Sequence, residues 1–289
     1  MKRKRSILFQ WSLAAGILLL FVGGCGKKGP QPPVAPNARY RVYLTTDDGP
    51  MRGSGGIDEV IRQTRVPLTA FVVGKHAQLN PYRAYLERYR SNPDITLGNH
   101  SYSHANGHYL DYYRHPQRVL ADFEKNQRLL RLPEKIGRLP GRDSWRIGGR
   151  AYDADRTATA AADLLADHGY TLYGWDLEWT HTQKGHPIGS GEEIYRRIKA
   201  QLTHGHTYTP GHLMLLMHDQ MFGTAAARAE LTTLIGLLER DPEIRLCSVD
   251  AYPETVPLHR SPGGEARLIR GVTTGVGETT PVDPLKFAH

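Results

Sequence analysis

Cysteine is scarce in this chain: 289 residues hold two, Cys25 and Cys247. That excludes the disulfide-stapled class of small exported domains, so a packed core must hold the fold. Cys247, inside an apolar strand-like run, reads as a small core residue. No internal repeat is visible. The apolar stretch from Leu13 to Val22 is too short for a comfortable membrane span. Excess positive charge is also weaker than the total suggests. The formal net charge is +8, and Lys2, Arg3, Lys4 and Arg5 supply half of it, with no acidic residue before Cys25. Nucleic acid is therefore not an expected partner.

What stands at the N-terminus is an address. A basic segment, an apolar segment and Gly23 and Gly24 directly before Cys25 resemble a bacterial lipoprotein signal over residues 1–24. In that resemblance Cys25 is lipidated and becomes the mature N-terminus; an ordinary signal peptide or an uncleaved anchor is the alternative. Residues 25–38 carry Gly29, Pro30, Pro32, Pro33 and Pro36, a composition that favours an extended, semi-stiff tether. Gly26 is not the Asp that commonly retains lipoproteins at the inner membrane, so the expected location is the outer membrane of a Gram-negative cell, on its periplasmic face. Residues 39–258 are expected to form a single domain. The tail, 259–289, is rich in Gly and Pro with little apolar periodicity and is expected to be poorly ordered or draped on the surface.

Seven short apolar, β-branched or aromatic runs read as strands: 40–45, 68–73, 95–97, 135–139, 171–175, 213–217 and 244–249. Helical spacing lies between them, near 57–63, 82–89, 117–130, 155–167, 192–202 and 225–238. In 117–130, Val119, Leu120, Phe123, Leu129 and Leu130 can share one apolar face. Strands alternating with helices predict an α/β fold, a distorted (β/α) barrel of about seven parallel strands. In such barrels reactive groups gather where strands end, on the C-terminal face. The segment 181–211, rich in Gly, His and Thr, reads as a substrate-facing loop or a plain surface insertion.

Five unusual polar clusters fall just after predicted strands and so converge on that face. Asp47 and Asp48 follow the first, and His100 and His104 the third. Arg138 to Arg142, Asp176 to Trp179, and His218 with Asp219 follow the fourth, fifth and sixth. On a helical turn, histidines four apart can share one ion. Two surface histidines, or His108 as the true ligand through His104/His108, are the competing readings. Asp-Asp-Gly-Pro is a respectable turn in any protein. Beside an ion, however, two carboxylates can divide labour, one ligating and one accepting a proton.

As an ordered set these motifs resemble the polysaccharide deacetylases of the NodB-homology type, carbohydrate esterase family four, over roughly Tyr40 to Val256. The resemblance implies a (β/α) barrel that removes acetyl groups from N-acetylated sugars with a divalent metal, most often Zn2+, with Co2+ or Ni2+ also compatible. It maps Thr-Phe-Asp-Asp-Gly-Pro onto Thr45 to Pro50, with Thr46 in place of the aromatic residue. Asp47 becomes the general base and Asp48, His100 and His104 the metal ligands. Arg138 would pair with Asp47, and the Gly141 backbone N–H would face the oxyanion. His218, in Leu216-Met217-His218, would be the general acid. The fourth motif departs from the family at Glu178, where an aspartate is usual; either Asp176 or Glu178 would tune His218. Trp179, Leu216 and Tyr102 are the substrate-contacting candidates. Trp179 and Trp175 read equally as barrel packing.

The implied activity is hydrolysis of an acetamido group on an envelope or extracellular glycan such as peptidoglycan, chitin-like polymer or poly-N-acetylglucosamine, by a monomeric enzyme. Two other readings stay open: a catalytically silent glycan-binding envelope lipoprotein, and a same-fold metal amidase acting on a small non-sugar amide.

Overall fold

The computed structural model describes residues 38–255. The expectations for the leader, Cys25, the tether and the tail lie outside the described residues. In chain order the elements are β1 (Tyr40–Gly49), α1 (Ser54–Thr64), β2 (Leu68–Val72), α2 (Gly74–Ala77), α3 (Tyr82–Ser91), β3 (Ile95–Asn99), α4 (Tyr109–Tyr113), α5 (Pro116–Leu130) and β4 (Ile136–Gly137). There follow β5 (Ser144–Ile147), β6 (Arg150–Asp153), α6 (Thr159–Asp167), β7 (Thr171–Leu172), β8 (Leu177–Glu178), α7 (Gly191–His204), β9 (His212–His218), α8 (Ala225–Arg240) and β10 (Ile244–Leu246).

The strands form one curled sheet in the order β6-β5-β7-β4-β3-β2-β1-β9-β8, with β10 also on β1. All seven expected strands are present, and every pairing among them is parallel. The path ends at β6 and β8 rather than closing, which makes a half-barrel. Three strands were not anticipated. β5 and β6 form an antiparallel hairpin, and β8 is a two-residue strand beside β9. The hairpin turns on Gly148 and Gly149, both at positive φ (55° and 76°), the conformation a tight two-residue hairpin loop requires.

Alternation along β1 sorts its side chains between two cores. Val42 and Leu44 face the helices, packing with Ile57 and Val60 of α1 and with Leu231 and Leu234 of α8. Tyr43 faces the inside of the curl, with Phe71, Trp145, Met214 and Tyr252. A third cluster joins α5 and α6 through Val119, Phe123, Ala161 and Leu165. On α5, Leu129 is 42% exposed and Asn126 is fully buried instead. A stripe of apolar residues is narrower than the sequence allowed, because Asn126 is needed beneath the site. The segment 181–211 is not one loop either: α7 fills its middle, capped by Ser190 at its start and by Gly205 (φ 71°) at its end. Among the described residues no helix is long and apolar enough to cross a membrane.

Candidate active site

Strand register alone places several of the expected residues on one level. Asp47 lies opposite His218 across the β1/β9 pairing. Asn99 at the end of β3 lies opposite Gly137 of β4, so His100 and Arg138 each stand one residue beyond. In a regular strand Asp47 and Asp48 would point to opposite faces. The β1/β2 register shifts between Thr46 and Gly49, and Asp48 takes φ 69°. That irregularity re-aims Asp48, as bulges at strand ends do. His76 of α2, buried, holds the strained residue: its Nδ1 donates to the Asp48 carbonyl at 2.7 Å.

Asp48, His100 and His104 converge, each offering a ligand atom within 4.8 Å of the others. His104 Nε2 is 2.9 Å and His100 Nε2 3.5 Å from Asp48 Oδ1. The pair does not ride a helical turn, as the spacing suggested. Ser101 and His104 both have positive φ (65° and 52°), so a looped segment brings the rings together. Asn99 and Ser101 brace it. Asn99 Oδ1 accepts from the Ser101 amide and from Asn126, and Ser101 Oγ accepts from the His104 amide. His108 is exposed and stands apart from the converging atoms.

The donor set fits a divalent cation. His100 Nδ1 lies 2.9 Å from the Arg138 carbonyl, which can only accept, so that nitrogen carries the proton. In the neutral ring Nε2 then presents a lone pair toward the carboxylates. Asp48 Oδ1 is itself buried with no hydrogen-bond donor. Lone pairs facing one another in a dry site call for a cation among them. Burial alone would raise the Asp48 carboxyl, but His104 and His100 hold it well below the usual range. Burial would lower His100, and Asp47 and Asp48 more than offset that, raising it. His104 has its own rear contact, the Tyr109 hydroxyl at 3.4 Å from Nδ1.

Arg138 is fully buried and orders the other carboxylate. One guanidinium nitrogen donates to Asp47 Oδ1 at 2.9 Å and to Thr45 Oγ1 at 2.8 Å. The rest of the group donates to the carbonyls of Tyr173 and Gly174. A buried guanidinium with all three of its nitrogens donating fixes Asp47 in direction. Gly141 follows at φ 62°, and a side chain there would meet the Tyr109 ring. The Pro140 carbonyl accepts from the Tyr113 hydroxyl at 2.7 Å. In a trans peptide the next N–H points the opposite way, so the Gly141 amide is aimed away from Tyr113.

His218 is partly buried, with Nδ1 enclosed and bonded to no side chain, and the Met221 backbone N–H caps its side chain. Burial lowers its pKa, opposed by Asp48, Asp47 and Glu178. The two candidate tuning acids separate here. Asp176 accepts from the amides of Tyr208 and Met214, at 2.6 and 2.7 Å, and burial pushes it up to about 7. Its carboxylate is occupied at the early part of β9. Glu178 lies opposite Leu216 on β8, and its charge acts on His218. Leu216 shares the inner face of β9 with Met214 and His218 by alternation. Trp179 is fully buried on the helix side, edge-on to Phe222, its indole N–H donating to the Ile188 carbonyl at 3.0 Å. Tyr102 is half-exposed between His100 and His104 in sequence, with the Lys125 ammonium 3.3 Å from its ring.

Thr46 falls on the helix side of β1, where a buried hydroxyl needs a partner. It donates to Asp219 at 2.7 Å. Asp219, fully buried, also accepts from Ser54 of α1 and from Tyr89 of α3. His76, Tyr109, His181 and this Asp219 cluster were missed in the sequence. Only the adjacency of Asp219 to His218 gave a signal for any of them.

The polysaccharide deacetylase family model matches residues 35–172. That span holds Asp47, Asp48, His100, His104, Arg138 and Gly141, and ends before Asp176 to Trp179 and Leu216 to His218. A chitin disaccharide deacetylase of Vibrio alginolyticus is 25% identical over 202 residues, 48% of this chain and 47% of the relative. The chain thus spans about half the length of that curated relative. Among solved structures, a family 4 carbohydrate esterase from Streptomyces lividans in complex with acetate aligns with a TM-score of 0.50 at 19% identity, covering 73% of this chain and 92% of that one. A CE4 esterase of Streptococcus mutans gives 0.54 at 20%, covering 73% and 87%. The catalytic domain of a peptidoglycan N-acetylglucosamine deacetylase from Eubacterium rectale gives 0.52 at 18%, covering 76% and 92%. At these identities the structural likenesses concern the fold. The family model thus matches just under half of the chain, and the solved structures share its fold.

Proposed function

We propose that this chain is a metal-dependent hydrolase that removes acetyl groups from N-acetylated sugars of an envelope or extracellular polysaccharide. The observation that carries the reading is the convergence of Asp48, His100 and His104 beside an Asp47 fixed by Arg138. Named relatives that act on chitin disaccharide and on peptidoglycan N-acetylglucosamine support the substrate class.

A divalent cation held by Asp48, His100 and His104, Zn2+ or else Co2+ or Ni2+, supplies Lewis acidity toward the acetyl carbonyl and acidifies water. Asp47 accepts the proton of the attacking water, its carboxylate held in direction by Arg138. The Gly141 N–H stabilises the negative oxygen that develops on the acetyl carbon. His218 delivers a proton to the sugar nitrogen as the C–N bond breaks, giving acetate and a free amine. Leu216 and Tyr102 are assigned to the substrate side, and Trp179, fully buried on the helix side, to its support. The same reading puts the enzyme on a lipid anchor at Cys25, at the periplasmic face of the outer membrane.

Acetate release from chitooligosaccharides and from peptidoglycan, with and without a chelator, tests the function. We expect release that a chelator abolishes and added Zn2+ restores, and Asp48→Ala should lose both bound metal and activity. Release that survives both the chelator and Asp48→Ala would overturn the reading.

A further inference from the structure

The segment after β8 is clamped onto the start of the turn that follows β9. His181 stands T-shaped against His218, ring centroids 5.0 Å apart at 81°. Its own two nitrogens are both engaged. Nδ1 lies 2.8 Å from the Thr182 carbonyl and Nε2 3.0 Å from the Gln220 amide nitrogen. Because a carbonyl only accepts, Nδ1 carries the proton and Nε2 accepts from Gln220. This sets His181 as one neutral tautomer in one orientation. Gln220 is in turn covered by Gly185, which has φ 77° and where an added Cβ would stand 3.3 Å from the Gln220 carbonyl oxygen.

His218 itself has nothing comparable. His100 is oriented by the Arg138 carbonyl and His104 faces the Tyr109 hydroxyl. By contrast, no side chain bonds the enclosed His218 Nδ1; the Met221 backbone N–H caps the side chain, and the His218 amide faces the Met221 sulfur. A histidine whose Nδ1 no side chain anchors depends on packing for its ring direction, and the ring packed on it is His181.

We propose that His181, locked by Gln220 and Thr182, is the positioning residue that fixes the His218 ring for proton delivery to the leaving nitrogen. This rests on the deacetylase reading above. A misdirected proton donor loses the advantage of a pre-set geometry, worth up to about 100-fold in rate. His181 is not among the converging cation ligands, so its loss should act on turnover and not on metal content.

The test is a double-mutant cycle on penta-N-acetylchitopentaose, with zinc content measured for every protein. His181→Ala is expected to lower kcat roughly 10- to 100-fold with KM and zinc content unchanged. His181→Phe, which keeps a ring against His218, should recover much of that loss. In a His218→Ala background, His181→Ala should cost almost nothing more, because the partner it positions is gone. An equal loss in both backgrounds, or a change in KM alone, would overturn the inference. A crystal structure of the His181→Ala protein gives a readout free of activity: the His218 ring should spread over more than one rotamer. A single unchanged ring there would also sink the idea. If the unmodified protein releases no acetate, the proposed function falls, while the ring order still decides the role of His181.

Discussion

At the scale of single residues the site separates two jobs between neighbours. Asp48 points its buried, unpartnered oxygen at two imidazoles, whereas Asp47 points its own at Arg138. Removing the charge of Asp47 should therefore stop proton transfer without dismantling the cation site. Asp47→Asn is expected to lower acetate release by at least about 100-fold while bound zinc stays near one per chain. Loss of metal in that variant, measured by elemental analysis, would mean that base and ligand roles are exchanged. The convergence of these residues was legible because they sit beside strand ends and in an ordered set of motifs. What was not legible is the support. His76 on the Asp48 carbonyl and Tyr109 beside His104 come from short segments whose place depends on left-handed residues at Asp48, Ser101 and His104. No periodicity announces such a turn. The regular helical arrangement read from the HxxxH spacing failed for that reason.

At the scale of elements, Asp219 ties together β1, α1, α3 and the end of β9. Its carboxylate accepts from Thr46, Ser54 and Tyr89, three hydroxyls that burial leaves with few alternatives. Thr46, where the resemblance expects an aromatic residue, feeds this polar hub. Asp219→Ala would strand those hydroxyls and is expected to destabilise the domain by about 3 kcal/mol, read from urea midpoints. Burial pushes the Asp219 carboxyl up to about 6 from an ordinary 3.8. The native state then binds that proton more tightly than the unfolded chain. Its contribution is present in full below about pH 4 and is lost as pH rises toward 6. Asp219→Asn removes this titration, so the difference in stability between it and the unmodified protein should change across that window and be flat above it. A constant difference from pH 4 to 8 would contradict the assignment. Strand identity was easy to read where alternation ran long, as in β1 and β9. The β5/β6 hairpin escaped because Arg146 and Arg150 break the apolar pattern, although Gly148-Gly149 is a recognised hairpin-turn pair. Arg146 is in fact buried between Asp153 and Asp163, 2.8 and 2.7 Å away, which is why a charged residue can sit there.

At the scale of the whole domain, the three proposed ligands come from distant parts of the chain: Asp48 from the end of β1, His100 and His104 from the segment after β3. These strands are not adjacent, since β2 lies between them. A cation there would cross-link the sheet over its C-terminal edge and bind the folded state alone. Binding of that kind stabilises by mass action, about 2.7 kcal/mol when free metal is 100 times the dissociation constant. For a domain of this size that corresponds to a rise in Tm of roughly 5–10 °C. The midpoint should climb steadily with added Zn2+ and drop back in chelator. Asp48→Ala should remove the climb, and Asp47→Asn should keep it, because Asp47 stands outside the converging set of Asp48, His100 and His104. This pair of melting curves needs no substrate, so it examines the cation site independently of any glycan. A Tm indifferent to metal, or an Asp48→Ala protein that responds like the parent, would leave the converging side chains without a cation to explain them.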